Sequence, residues 1–281
     1  MSLTPILDGL SFPEGPRWHD GRLWFSDFYR HEVVAVDPEG RRQTMLEVPQ
    51  QPSGLGWMPN GDLLLVSMLD RRLLRWDGRA TTVHADLSVL VPASCNDMVV
   101  DDVGRAYVGN FGFDRHRGEA PVATTLVVVE PDGSASVGAT DLDFPNGMVI
   151  TGSGSTLIVA ETMANRLSAF DRSPVTGALS GRRVWADLGD NLPDGICLDA
   201  EGGVWVADPR NGQVFRVLEG GEVTDRLSTG EGRNAYACML GGADRRTLFV
   251  LTNTGSGPAA AAARDGRIEI TEVAVPGAGL P

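Results

Sequence analysis

One recurring motif constrains the fold of this chain more than any other feature. Each copy has a Pro-x-Gly element, a short apolar run, a turn with Asp-Gly, Asn-Gly or Gly-Gly, and a second apolar run. Aligned on the glycine or its counterpart, the copies are marked by Gly15, Gly54, Met98, Gly147, Gly195 and Ala237. Six copies in 281 residues give about 47 residues each, the size of a four-stranded propeller blade. We therefore predict an all-β fold, with residues 1–281 forming a single six-bladed β-propeller domain.

The repeat pattern lacks a strand at the C-terminal end of the chain and has a spare strand at the N-terminal end. The last copy ends after residues 267–275 and is one strand short, whereas residues 4–10 precede the first copy. We expect this N-terminal strand to close the ring beside the C-terminal strands, because closure removes an open sheet edge. A longer stretch at residues 113–122 interrupts the third copy and predicts a loop, in which His116 is expected to be a solvated residue.

Composition excludes several kinds of chemistry. The chain has no lysine, so Schiff-base catalysis and a Walker-type phosphate loop are both excluded. A net charge of −13 disfavours nucleic acid and anionic membranes as partners. Only four histidines are present, and none has the short spacing typical of zinc ligands. With no visible signal peptide, no long apolar run and three widely spaced cysteines, we expect a cytoplasmic protein, a monomer or weak homo-oligomer, with reduced thiols.

Polar residues precede the aligned positions, where the inner strand of each blade begins. They are Glu14, Ser53, Asp97 with Asn96 beside it, Asn146, Asp194 and Tyr236. In a propeller these positions converge on the central axis, so carboxylate and amide oxygens gather there. Such oxygens suit Ca²⁺, Mg²⁺ or Mn²⁺, and Fe²⁺ or Zn²⁺ less strictly. Because Pro-Asp-Gly and Pro-Asn-Gly are also common turn sequences, Asn146 and Asp194 have an alternative role as turn residues, and for Asp97 we expect structural bonding.

Several motifs resemble the gluconolactonase/regucalcin family of six-bladed propellers. They are FPEGPRW at 12–18, ND at 96–97, FPNG at 144–147 and LPDG at 192–195 followed by VWVAD, and they occur in the family's order and spacing. The resemblance implies one divalent cation, with Ca²⁺ favoured and Mg²⁺, Mn²⁺, Zn²⁺ or Fe²⁺ as alternatives, held by Glu14, Asn146 and Asp194. It further implies catalytic roles for Asp194, which moves a proton, and for Asn96, which contacts the substrate.

The chain also departs from that family at its substrate-binding positions. Ser94 stands where sugar-binding members of the family have an arginine. Asp114 corresponds approximately to a carboxylate with which those members contact their substrate. The family's substrate lysine has no counterpart here, and Phe111 and Phe113 lie beside the expected pocket. We therefore expect Asn96, Ser94, Phe111 and Asp114 to bind a small lactone or ester, either a sugar lactone or a less polar one.

These observations favour one function and leave two alternatives. The favoured function is a divalent-metal-dependent lactonase, a carboxylic-ester hydrolase that opens a lactone ring. The first alternative is an organophosphate hydrolase resembling diisopropyl fluorophosphatase, which needs the same cation-bound oxygen and acidic residue. The second is a non-catalytic calcium-binding propeller, because a retained ligand set does not prove turnover.

Overall fold

A computed structural model of the chain describes residues 2–114 and 117–281, so His116 lies outside the described residues. The strands form six four-stranded antiparallel sheets, which confirms the prediction of a six-bladed propeller. The N-terminal strand is β1 (Thr4–Leu10). Blades one to three contain β2 (Pro13–His19), β3 (Arg22–Asp27), β4 (Glu32–Val36), β5 (Arg42–Glu47), β6 (Pro52–Trp57), β7 (Leu63–Ser67), β8 (Arg72–Trp76), β9 (Thr81–Asp86), β10 (Cys95–Val100), β11 (Ala106–Asn110), β12 (Thr124–Val129) and β13 (Ala135–Leu142). Blades four to six contain β14 (Pro145–Ile150), β15 (Thr156–Glu161), β16 (Arg166–Arg172), β17 (Leu179–Asp187), β18 (Ile196–Leu198), β19 (Val204–Asp208), β20 (Gln213–Val217), β21 (Val223–Ser228), β22 (Asn234–Gly241), β23 (Thr247–Asn253) and β24 (Gly266–Glu272).

The ring closes through the N-terminal strand. Blade six has the strand order β1-β24-β23-β22, and β1 pairs antiparallel with β24, with Thr4 opposite Ile270. The inner strands β2, β6, β10, β14, β18 and β22 each contact the next around the axis, and β22 contacts β2 again. The predicted closure is therefore confirmed: β1 is the fourth, outermost strand of blade six and covers the edge of β24.

Helical structure is short in the described part of the chain. Within residues 2–114 and 117–281 it includes the α-helix α1 (Pro258–Ala263) and the single 3-10 turns Phe28–Arg30 and Thr162–Ala164. None of the helices in the described ranges is long and apolar enough to cross a membrane. Both 3-10 turns directly follow the second strand of their blade, at the end of the ring where the Pro-x-Gly elements lie.

Crowding of the inner strands explains the glycine of the repeated motif. A Cβ atom added to Gly147 would lie 2.6 Å from the backbone nitrogen of Ile196 in the next blade. One added to Gly195 would lie 2.6 Å from Cβ of Ala237 in the blade after it. Real Cβ atoms essentially never come closer than 3.0 Å to such neighbours. The glycines are therefore needed so that six strands can meet around one narrow axis.

The last eight residues, 274–281, extend beyond the final strand and cross the ring end opposite the Pro-x-Gly elements. Leu280 and Ile150 exchange backbone hydrogen bonds of 3.0 and 2.8 Å, and the N–H of Ala278 donates to the carbonyl of Leu198 at 3.0 Å. Ile150 and Leu198 are the last residues of β14 and β18. The segment therefore links blades four and five at their far ends, an arrangement that the repeat pattern does not predict.

Candidate active site

Side chains from five inner-strand positions line one cavity of about 540 Å³ at the axis of the ring. These side chains belong to Glu14, Asn96, Asn146, Asp194 and Tyr236. The positions before the aligned glycines therefore converge as the repeat pattern predicts, and blade three contributes Asn96 rather than Asp97 to the cavity wall. Ser53 of blade two lies behind the wall, where its hydroxyl donates to Asn96 Oδ1 at 3.4 Å.

A chain of hydrogen bonds connects three of these side chains. Asn96 Nδ2 donates to Asn146 Oδ1 at 3.0 Å, and Asn146 Nδ2 donates to Asp194 Oδ1 at 2.5 Å. Asn146 Nδ2 also lies 3.1 Å from the hydroxyl of Thr162, which in turn donates to the carbonyl of Pro193. This arrangement fixes the amide planes relative to Asp194 and makes Thr162 a site residue that the motif search did not find.

Glu14 and Asp194 form an acid pair within the cavity. Glu14 is buried, and burial raises its pKa well above the ordinary value; the negative charge of Asp194 raises it further. The N–H of Gly15, 3.0 Å from Glu14 Oε2, and the cation of Arg17 act in the opposite direction. A buried carboxyl group whose pKa is raised by the charge of a second carboxylate favours either a shared proton or a cation between the two.

Asp97 has a different role from its neighbour Asn96. Arg17 Nη2 donates to Asp97 Oδ1 at 2.7 Å, and Arg17 Nε donates to the carbonyl of Leu55 at 2.8 Å. The Arg17 and Asp97 side chains are only 4% and 11% exposed, respectively. The pair joins blades one and three behind the cavity, so the expected structural role of Asp97 is confirmed. Breaking such a buried pair by removing one partner leaves an uncompensated charge.

Buried carboxylates at the ends of three second strands hold the loops that carry the acid and amide side chains. Asp27, Glu161 and Asp208 end β3, β15 and β19, and each is fully buried. The hydrogen bonds run from the N–H of Phe12 to Asp27 (2.8 Å), from the N–H of Asp143 to Glu161 (2.8 Å) and from the N–H of Leu192 to Asp208 (3.2 Å). We call these three residues the anchor carboxylates, because each fixes the backbone two or three residues before Glu14, Asn146 or Asp194.

A second cavity of about 680 Å³ adjoins the first and contains the other predicted binding residues. Ser94, Phe111 and Asp114 line it, and Phe111 also lines the axial cavity. Ser94 and Asp114 thus lie apart from Glu14 and Asp194, and the structure divides the predicted substrate set between two connected spaces. We refer to the first space as the axial cavity and to the second as the outer cavity.

The residues of the axial cavity fit a divalent cation by the chemistry of their donors. Glu14 and Asp194 supply carboxylate oxygens. Rotating the side-chain amide of Asn146 by 180° would place the amide oxygen where the amide N–H now faces Asp194. Oxygen ligands of this kind are those that Ca²⁺ and Mg²⁺ prefer. No group of three or more His, Cys, Asp or Glu side chains suited to a metal occurs in the described ranges. An amide would therefore have to complete the set, and the ligand assignment stays a prediction.

The fold and site define a class: a six-bladed β-propeller with acid and amide side chains gathered at one end of its axis. Residues 12–254 match the SMP-30/Gluconolactonase/LRE-like region, and the chain belongs to that family. Among its relatives, pentonolactonase XacC of Haloferax volcanii is 26% identical over 274 residues, covering 94% of this chain and 90% of the relative. Regucalcin of Xenopus laevis is 26% identical over 250 residues, covering 84% and 81%.

Solved structures share the same architecture. A luciferin-regenerating enzyme superposes with a TM-score of 0.83 at 18% identity, covering 98% of this chain and 96% of that chain. A regucalcin from Agrobacterium tumefaciens, described as a calcium-binding protein, superposes with a TM-score of 0.80 at 24% identity, covering 99% and 94%. At these identities the likeness establishes the fold, and the chemistry has to be argued from the side chains.

Proposed function

We propose that this protein is a divalent-cation-dependent hydrolase that opens a lactone ring. The observation that carries the proposal is the pair of Glu14, which is buried, and Asp194, which is half-buried and joined through Asn146 to Asn96, in a cavity of substrate size. Membership of a family with a pentonolactonase among its relatives supports the same reaction class. The cation is the group that would relieve the repulsion between the two acids, and Glu14, Asn146 and Asp194 are the residues that would hold it.

The chain's own side chains can perform the proton transfers of lactone hydrolysis. A bound divalent cation would polarise the lactone carbonyl and orient a water molecule. As the water oxygen bonds to the carbonyl carbon, Asp194 accepts the proton released by that water. When the bond between the carbonyl carbon and the ring oxygen breaks, the same carboxyl group returns the proton to the leaving oxygen, which gives a hydroxy acid. Asn96 Nδ2 can donate to the carbonyl oxygen as negative charge develops on it.

The experiment combines chelation with substrate comparison. Ring opening is followed with a pH indicator on sugar lactones, aliphatic lactones, aryl esters and phosphotriesters, before and after chelation and after adding back Ca²⁺, Mg²⁺, Mn²⁺, Zn²⁺ or Fe²⁺. We expect chelation to abolish lactone opening and one of these cations to restore it. Full lactonase activity in metal-free protein would refute the proposal. A preference for phosphotriesters would support the organophosphate hydrolase, and calcium binding without turnover would support the non-catalytic propeller.

Matched variants separate the roles of the site residues. Asp194→Asn should lower kcat by about 10²- to 10⁴-fold, the range usual for loss of a proton-transferring group. Asn146→Ala should weaken cation binding measured by calorimetry. Asp190→Asn is the control, since it removes a charge from an exposed residue four positions before Asp194. If Asp190→Asn lowers kcat as much as Asp194→Asn does, Asp194 is not the residue that transfers the proton.

A further inference from the structure

We infer that the substrate of the proposed lactonase has three parts: the lactone or ester group, a flat apolar body, and an anionic group at the far end that binds Arg71. This inference rests on the proposed function for its first part, and it specifies the substrate class. It follows from how the axial and outer cavities join, from the aromatic residues at their junction, and from the position of Arg71, which lines the outer cavity and has no carboxylate partner among the described residues.

The junction between the two cavities is mainly aromatic. The residues that line both the axial cavity and the outer cavity are Phe12, Phe28, Phe111, Phe113, Glu119 and Ser256; we call the four phenylalanines the phenylalanine collar. A molecule that reaches from the acid pair into the outer cavity therefore passes along these rings, with Glu119 and Ser256 beside them. The two volumes, about 540 and 680 Å³, exceed what a simple five- or six-membered lactone needs. The geometry favours a substrate that extends well beyond its ring.

Contacts among the aromatic rings hold the collar in place. The ring centroids of Phe12 and Phe28 are 5.5 Å apart, and those of Phe12 and Tyr236 are 4.7 Å apart in an edge-to-face arrangement. The centroid of the Phe111 ring lies 4.5 Å from that of Phe144. These separations are typical of favourable aromatic pairs. A preformed aromatic passage binds a flat apolar group better than a hydroxyl-rich sugar, whose polar groups would lose water without gaining partners.

Beyond the collar, the outer cavity has a cation without a carboxylate partner. Arg71 lines it and donates to the backbone carbonyl of Val91 at 3.3 Å. Over residues 2–114 and 117–281, no carboxylate oxygen lies within 4.0 Å of the Arg71 guanidinium. The adjacent Arg72, in contrast, is paired with Asp70 at 3.5 Å and with Asp86 at 3.6 Å. The guanidinium of Arg71 therefore retains donors for an anionic group of the substrate.

Two other arginines line the cavities and are less suited to this role. Arg117, in the outer cavity, is already paired with Asp114 at 3.4 Å. Arg210 lines the axial cavity, where its Nη1 donates to the carbonyl of Asp190 at 3.2 Å. An anionic substituent beside Arg210 would share that cavity with the acid pair and be repelled by it. Arg71 is separated from the acid pair by the phenylalanine collar. Two carboxylates also line the outer cavity, but Asp114 is paired with Arg117 and Glu119 accepts the N–H of Asp114, so both have partners away from Arg71.

The test uses two substrates that differ only in charge, a phenyl-substituted butyrolactone and its carboxyphenyl counterpart. We expect the wild-type protein to have at least about tenfold higher kcat/KM for the carboxylated lactone, as a charge-assisted hydrogen bond at a half-buried site provides. Arg71→Gln should remove this preference through KM, and Arg71→Lys should keep part of it. Arg117→Gln is the matched control from the same cavity and should retain the preference. Thermal unfolding of each variant checks that the fold is intact.

A binding measurement keeps this inference separate from the proposed function. The corresponding lactams, which resist hydrolysis, are titrated by calorimetry into wild-type protein and the Arg71→Gln variant. Tighter binding of the carboxyphenyl lactam to the wild type, lost in Arg71→Gln, supports the inference even when no lactone is opened. Equal binding of the charged and neutral lactams overturns it, as does a preference for sugar lactones. Loss of the charge preference in Arg210→Gln instead of Arg71→Gln also overturns it.

Discussion

Replacing Gly147 by alanine tests whether crowding at the axis positions the loop that carries Asp194. The new Cβ would lie 2.6 Å from the backbone nitrogen of Ile196, 2.7 Å from the carbonyl oxygen of Asp194 and 2.9 Å from Cα of Gly195. All three contacts are with backbone, so no side chain can rotate away to relieve them. The segment that starts blade five, including Asp194, must move instead.

The size of the effect follows from these distances. Ordinary contacts begin at 3.4 Å, so the closest pair is about 0.8 Å too short. Overpacking of this kind costs about 1–3 kcal/mol, and rigid backbone neighbours place Gly147→Ala at the upper end, near 3 kcal/mol of unfolding free energy. The displacement also strains the 3.3 Å hydrogen bond from the N–H of Gly147 to the carbonyl of Asp194. A shift approaching 1 Å at a reacting group lowers the rate on the order of 100-fold.

The assay compares Gly147→Ala with Gly152→Ala in equilibrium urea unfolding and in lactone opening. A Cβ on Gly152 meets nothing within 4 Å, and its φ is not in the left-handed region. Both variants gain the same 0.4–1 kcal/mol, roughly, from a less flexible unfolded chain, so their difference isolates the clash. If Gly147→Ala is as stable and as active as Gly152→Ala, the argument from axial crowding is wrong.

Three further predictions concern buried polar groups. Burial alone would raise the pKa of Glu161, but hydrogen bonds from two arginines and a serine lower it below its ordinary value. The lowered pKa stabilises the folded protein above about pH 4.5, and this stabilisation is lost as the pH falls. Urea unfolding should therefore show Glu161→Gln destabilised at pH 7 and much less so at pH 3.5, and an unchanged difference would contradict this. Burial raises the pKa of Cys95 to about 12 and also raises that of Cys238, so a colorimetric thiol reagent at pH 8 should react slowly with native protein and rapidly in denaturant. Asp208→Ala should lower kcat for lactone opening about tenfold by releasing the loop before Asp194, and a wild-type kcat would show that this anchor carboxylate does not position the site.

The repeat in the sequence was sufficient to predict the fold and most of the axial cavity. Because each Pro-x-Gly element starts an inner strand, the residue before the glycine faces the axis, and Glu14, Asn146 and Asp194 meet as expected. The spare strand at residues 4–10 closes the ring because the last copy of the repeat is one strand short. These inferences depend on local periodicity, which a single sequence displays directly.

Other features depend on contacts between distant positions, which local periodicity does not reveal. The pair of Arg17 and Asp97 joins residues 80 positions apart. Ser94 precedes Asn96 by two residues, yet the two side chains line different cavities. Thr162 became a site residue only because a 3-10 turn brings its hydroxyl to Asn146. Each of these requires the packed ring, so no pattern of neighbouring residues could have indicated them.

The anchor carboxylates have a consequence for how this ring can change its ligand over time. Each one bonds the loop of its own blade, in addition to the hydrogen bonds that join blades four and five directly. A substitution at Glu14 therefore leaves the loops of the other two blades anchored, whereas Asn146 and Asp194 are coupled through their side-chain hydrogen bond. Substitutions can therefore change the ligand specificity in one blade at a time. We expect the effects of substitutions in different blades on ligand binding to be nearly additive where the side chains do not touch.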